Sequence, residues 1–279
     1  MTERERLKTR QRIVIKVGSS TITYAETGTI NYSKLEKLVR IIADIHNMGK
    51  EVVLVSSGAI AVGRHAIGLN EKPKTLACKQ ACAAIGQAAL MTVYKKLFSE
   101  YNQTCAQILL TKYTFMQDES YNNACNTLNE LLSMGVIPIV NENDTVSTAE
   151  IEIGDNDSLS AYVSSMIKGD LLIILSDIDG LYTDNPRINK DAVFIPVVKE
   201  VSKEVFEMAK GAGSDVGTGG MSTKIHAAEM ATRSGADMVI INGDDMENIR
   251  AVMNGEEKGT LFVANKDEKY DFRQTKGGF

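Results

Sequence analysis

Two rhythms of apolar residues alternate along this chain. Short runs rich in β-branched side chains predict buried strands at Ile13–Val17, Val52–Val55, Ala106–Leu110, Val136–Val140, Leu171–Leu175 and Met238–Ile241. Shorter runs at Val193–Val198 and Thr260–Val263 fit strands as well. Between them, helical spacing governs Ser33 to Gly49, where Leu35, Leu38, Val39, Ile42 and Ile45 form one stripe. Further helices are predicted near Thr75–Glu100, Tyr121–Met134, Ser158–Ile167, Ser222–Arg233 and Glu247–Met253. Ser33 and Glu36 have the spacing of a capping box, and Gly49, Gly135 and Gly235 stand where helices should stop. Unbroken apolar strands alternating with amphipathic helices predict an α/β fold with a mostly parallel central sheet and helices on both faces. No Pro- or Ser-rich linker divides the chain, so one domain with room for two lobes is expected. Lys266 to Phe279 has no periodicity and reads as a charged, loose tail.

Composition narrows the function. The 279 residues are 43% apolar and 24% charged, and 31 basic against 36 acidic residues give −5. That mild acidity argues against electrostatic binding to nucleic acid or anionic lipid. The N-terminal TERERLKTRQR has no apolar stretch behind it, and no apolar run approaches the ~20 residues of a membrane span, so a cytoplasmic protein is expected. Cys78, Cys82, Cys105 and Cys125 form no Cys-x-x-Cys pair and suit a reducing compartment. His46, His65 and His226 are scattered, so no metal-ligand set is expected.

Candidate chemistry lies after the strands, where open parallel sheets bind ligands. Gly18-Ser19-Ser20, Ser56-Ser57-Gly58-Ala59, Asn141-Glu142-Asn143-Asp144 and Ser176-Asp177-Ile178-Asp179-Gly180 each follow one. Any one of them is also ordinary turn chemistry. Gly217-Thr218-Gly219-Gly220-Met221-Ser222-Thr223-Lys224 is a glycine-rich entry to a helix, suited to phosphate but without Walker spacing. Lys16 interrupts an apolar strand, which is costly unless it is paired, opens into a site or snorkels from a strand end. Gly154-Asp155-Asn156-Asp157-Ser158 precedes a helix. It offers either an N-cap or carboxylates that orient lysines, hold a polar substrate or bind Mg²⁺ through water. These features together point to a nucleotide-dependent phosphoryl transferase.

The segments IVIKVGSS, VLVSSGAIAVG, IPIVNENDTVSTAEIEIGDNDSLSA, LSDIDGLYTDNPR and GTGGMSTKIHAAEMA resemble, in order, the blocks of the glutamate 5-kinase family of the amino-acid kinase superfamily. The likeness runs from about residue 12 to 264. It implies a kinase domain over residues 1–265 followed by a tail over 266–279; many members also carry a C-terminal PUA domain, and this chain is expected to be a form without it. It implies ATP with Mg²⁺ and the γ-carboxylate of L-glutamate as acceptor, the opening step of proline biosynthesis. Lys16 and Lys224 would then contact the phosphates, and Asp157 would orient both lysines. Ser57, Asp144 and Asn156 would bind glutamate. Ser176, Asp177, Thr218, Gly219, Gly220, Met221, Ser222 and Thr223, with the two lysines, would line the ATP site. Magnesium is expected mainly through ATP phosphates, and no protein ligand is assigned to it. Feedback by L-proline and a homo-oligomer also follow from the resemblance. The loop Thr145 to Asp155 reads as a cover over the amino acid. Acetylglutamate kinase chemistry and a non-catalytic amino-acid sensor are the alternatives.

Overall fold

The computed structural model describes residues 1–69, 71–146, 156–211 and 220–274. In chain order its strands are β1 (Arg12–Val17), β2 (Glu51–Ser56), β3 (Cys105–Leu110), β4 (Ile137–Glu142), β5 (Leu171–Ser176), β6 (Leu181–Tyr182), β7 (Phe194–Ile195), β8 (Val197–Val198), β9 (Asp237–Asn242) and β10 (Thr260–Phe262). The α-helices are α1 (Ser19–Ile22), α2 (Tyr32–Asn47), α3 (Ala59–Ala66), α4 (Leu76–Ser99), α5 (Lys112–Met116), α6 (Asp118–Ser133), α7 (Asn156–Met166), α8 (Lys203–Gly211), α9 (Met221–Ser234) and α10 (Glu247–Met253). The chain divides into two compact units: a composite unit of Met1–Lys16 with Gly154–Gly278, and an inserted unit of Val17–Ile153.

In the composite unit, β1, β5 and β9 run parallel, with Lys16 level with Ile174 and Leu171 level with Asp237. β10 is antiparallel to β9 and parallel to β8, so the sheet is mixed at that side. All six residues of β5 are buried, which is why Leu171–Leu175 reads as an unbroken apolar run. α7 and α9 bury most of their lengths, including Tyr162 and Ile225. The N-terminal segment is tied down by arginines: Arg4 donates to the carbonyls of Pro196, Glu256, Lys258 and Gly259. Arg6 and Arg10 both pair with the fully buried Asp237. Lys266–Arg273, which sequence treats as part of a tail, is anchored here. Asp267 pairs with Arg233 at 2.8 Å, that guanidinium lies 4.1 Å over the Tyr270 ring, and Phe272 packs on Tyr162. These contacts come from irregular backbone, which periodicity does not register.

In the inserted unit, β2, β4 and β3 are parallel, with β4 between the other two. α2 buries Leu35, Leu38, Val39, Ile42 and Ile45, the stripe read from sequence. Its start differs from the expected capping box: the N-cap is Asn31, whose side chain accepts from Lys34 N at 3.1 Å. Asn31 caps as well as Ser, and it comes earlier, so Ser33 lies inside the first turn. α3 and α4 cross closely at glycines. A Cβ on Gly63 would stand 1.8 Å from the Cys82 carbonyl oxygen, and one on Gly86 1.8 Å from that of Ala59. Among the described residues α4 alone is long and apolar enough, by length and composition, to cross a membrane, though it is no unbroken apolar run. It is 24 residues long. Lys79, Gln80 and Gln87 interrupt it, while Ala, Cys, Leu and Ile make it apolar on average.

Candidate active site

Lys16 is the last residue but one of β1 and is 6% exposed; Lys224, in the first turn of α9, is 5% exposed. Two buried ammonium groups so placed need a counter-charge. Asp157 supplies it from the first turn of α7, with Oδ1 2.6 Å from Lys16 Nζ and Oδ2 3.0 Å from Lys224 Nζ. Thr223 Oγ1 lies 2.9 Å from the same Oδ2 and 2.7 Å from the Gly220 carbonyl oxygen, so its one proton is shared between two acceptors. Burial pushes the Asp157 carboxyl up, but the two lysines outweigh it and hold it below the usual carboxylate range. Of the options open in sequence for this segment, a carboxylate paired with two lysines is the geometry found at Asp157. Lys16 is paired rather than snorkelling.

The carboxyl end of β5 and the start of α9 complete this edge of the composite unit. Ser176 is buried there, and Asp177 follows it. Arg187 Nη2 donates to Asp177 Oδ2 at 2.8 Å. Partial burial raises the Asp177 carboxyl, and the hydrogen bond and charge of Arg187, with Lys224 farther off, bring it below its ordinary value. α9 starts from an extended Gly220 that supplies no side-chain cap. The first N–H groups of the helix therefore present partial positive charge, with Met221, Ser222, Thr223 and Lys224 in that turn. Thr218 and Gly219 lie outside the described residues. Asn156 opens α7 beside Asp157.

Ser57 and Asp144 belong to the inserted unit. Ser57 follows β2 and donates its N–H to the Val17 carbonyl at 3.0 Å. Asp144 lines a cavity of about 260 Å³ with Glu142, Asn143, Thr145, Gln87, Gln107 and the small side chains of α4. Asn141 donates to Gln87 Oε1 at 3.0 Å, which fixes that amide. Two carboxylates and three amides with no cation among the lining residues suit an ammonium head group. Residues 147–155, most of the expected cover loop, lie outside the described residues.

A model of the amino acid kinase family matches residues 11–242. The glutamate 5-kinase of Clostridium perfringens (strain 13 / Type A) is 53% identical over 95% of this chain and 100% of its own length. The chain belongs to the glutamate 5-kinase family. The glutamate 5-kinase of Carboxydothermus hydrogenoformans is 51% identical over 96% of this chain and 72% of its own length. Among solved structures, carbamate kinase from Giardia lamblia bound to AMP-PNP aligns with a TM-score of 0.66 at 18% identity, covering 93% of this chain and 100% of that one. UMP kinase from Ureaplasma parvum gives 0.63 at 16% identity, covering 91% and 99%. These two likenesses speak for the fold alone. Within a glutamate 5-kinase chain, sequence reasoning passed over Arg187 and Gln87, and named Asn141 without its partner. The DNPR motif contained Arg187 but gave no partner for it, and nothing in the spacing joins residue 87 to residue 141.

Proposed function

We propose that this chain transfers the γ-phosphoryl group of MgATP to the γ-carboxylate of L-glutamate, releasing ADP and L-glutamyl 5-phosphate in the first step of proline biosynthesis. The buried Lys16–Asp157–Lys224 constellation carries the reading. A glutamate γ-carboxylate, with pKa about 4.3, is already ionised at neutral pH, so no general base is needed. One carboxylate oxygen forms the new bond to phosphorus as the bond to the β–γ bridging oxygen breaks. What the protein must supply is in-line placement and positive charge around the equatorial oxygens.

Lys16 and Lys224 supply that charge, and Asp157 fixes both ammonium groups without discharging them. The N–H groups at the start of α9, with Ser176 and Asp177, fit the nucleotide phosphates and their surroundings; Thr218 and Gly219 are assigned with them. Magnesium, bound to the ATP phosphates, neutralises part of their charge when the substrate enters. Ser57, Asp144 and Asn156 are assigned to glutamate, with Asp144 facing its ammonium group. The enzyme works in the cytoplasm as a homo-oligomer, with L-proline as feedback inhibitor.

The test offers ATP and Mg²⁺ with glutamate, acetylglutamate, aspartate and UMP side by side, with hydroxylamine to trap an acyl phosphate. Glutamate-dependent ADP release and hydroxamate are expected, reduced by added L-proline at subsaturating glutamate. Faster turnover of acetylglutamate or aspartate overturns the assignment.

A further inference from the structure

We propose that Tyr94 is a positioning residue for the loop after β2, acting through Ser56 on the carbonyl group of Ser57. The proposal rests on the assignment of Ser57 to glutamate.

Tyr94 is fully buried in α4, two helical turns beyond Gln87, which lines the Asp144 cavity. Its hydroxyl lies 2.8 Å from Ser56 Oγ, and Ser56 Oγ lies 3.1 Å from the Ser57 carbonyl oxygen. A carbonyl oxygen only accepts, so the single Ser56 proton points to Ser57. Ser56 Oγ is therefore the acceptor for Tyr94, and the relay runs from Tyr94 O–H to Ser56 O–H to the Ser57 carbonyl. Burial, the leading influence on the Tyr94 phenol, pushes its pKa up, so it remains a donor throughout the working range.

The Ser57 peptide is thus held on both sides, its N–H by Val17 and its carbonyl by Ser56. Beyond it, Gly58 has φ +108°, and a Cβ there would meet Ile22 Cδ1 at 3.2 Å. The peptide joining Ser57 to Gly58 consequently sets where the chain turns into α3 and how the Ser57 side chain is presented. α4 contributes to the amino-acid region twice, through cavity-lining residues and through this relay. A tyrosine serving only as core would need its ring there; it would not need a hydroxyl aimed at the residue preceding Ser57.

The experiment compares full-length wild type, Tyr94→Phe, Ser56→Ala, the double variant and Ser57→Ala, varying glutamate and ATP separately and recording melting curves. Loss of one hydrogen bond predicts a KM for glutamate raised roughly three- to tenfold in Tyr94→Phe and Ser56→Ala. In both, kcat and the KM for ATP stay within about twofold of wild type, and the double variant is no worse than either single because both break one relay. A lower melting temperature with an unchanged KM for glutamate overturns the proposal, as do additive single effects. Ser57→Ala separates the two levels. If it raises the KM for glutamate while Tyr94→Phe does not, the relay is wrong and the Ser57 assignment stands. If Ser57→Ala leaves that KM unchanged, the assignment falls and the relay falls with it.

Discussion

Replacing Asp157 by Asn keeps the shape of the side chain and removes the charge shared by two buried ammonium groups. Breaking a buried ion pair from one side costs roughly 3–5 kcal/mol, so Asp157→Asn should melt well below wild type. The pH dependence has a definite sign. The Asp157 carboxyl is held below its ordinary value in the native protein, so its stabilisation is complete above the unfolded carboxyl's pKa, about 3.9. It is lost as pH falls through the lowered native value. Denaturant unfolding from pH 7 down to 3 should show wild type losing its advantage over Asp157→Asn only at the acid end. A constant gap across that range would contradict this. Lys224 tests charge on the transferring group: Lys224→Ala should lower kcat by roughly 10²–10³, by analogy with loss of one oxyanion donor. A variant changing only the KM for ATP would instead show uniform binding. At this scale sequence was informative where a residue broke its surroundings. Lys16 stood out inside an apolar run, and Asp157 stood in a polar cluster too large for an N-cap. Tyr94 and Asn141 had no such signal, because a tyrosine in a helix and an asparagine after a strand are ordinary until their partners are known.

The start of α2 separates local spacing from the backbone that forms. Ser33 and Glu36 have the spacing of a capping box, yet the helix begins at Tyr32 and Asn31 accepts from Lys34 N. Asn31→Ala should therefore cost about 1 kcal/mol, and Ser33→Ala within about 0.5 kcal/mol, by equilibrium unfolding. The reverse order would restore the capping box. The long elements were legible because burial imposes a pattern on them: β1, β2 and β5 are buried on both faces and mostly apolar, and α2 has a clean stripe. α3 was not, since its eight residues follow directly on the Ser56–Gly58 turn. α1, α5 and α8 were missed for a related reason: four, five and nine residues hold too few turns for a period to declare itself. β10 ran against the parallel rule, and hydrophobicity alone contains no strand direction.

Across the whole molecule, what sequence could not supply was the composition of the composite unit, because its parts are separated by the inserted unit. TERERLKTRQR was informative only about targeting, yet its arginines are structural. Arg6 Nη2 and Arg10 Nη2 each lie 2.5 Å from an Asp237 oxygen, and Ala264 N donates to Asp237 Oδ1 at 2.8 Å. Asp237 thus gathers the N-terminal segment, the start of β9 and the chain after β10. It is level with Leu171 at the start of β5, whereas Lys16 is level with Ile174, and Ser176 lies at the carboxyl end. Asp237 therefore stands at the opposite edge of the same strands from the residues assigned to the chemistry. Asp237→Asn should accordingly lower stability without touching turnover. Its amide places N–H donors against guanidinium donors, and because Arg6 and Arg10 remain partly exposed the cost should lie near the lower end for a buried pair, roughly 3 kcal/mol. At about 2–4 °C per kcal/mol for a domain of this class, the melting temperature should fall by roughly 6–12 °C. Measured well below that temperature, kcat and both KM values should match wild type. A fall in kcat with an unchanged melting temperature would place Asp237 in the catalytic apparatus and defeat this division of the strands into two edges.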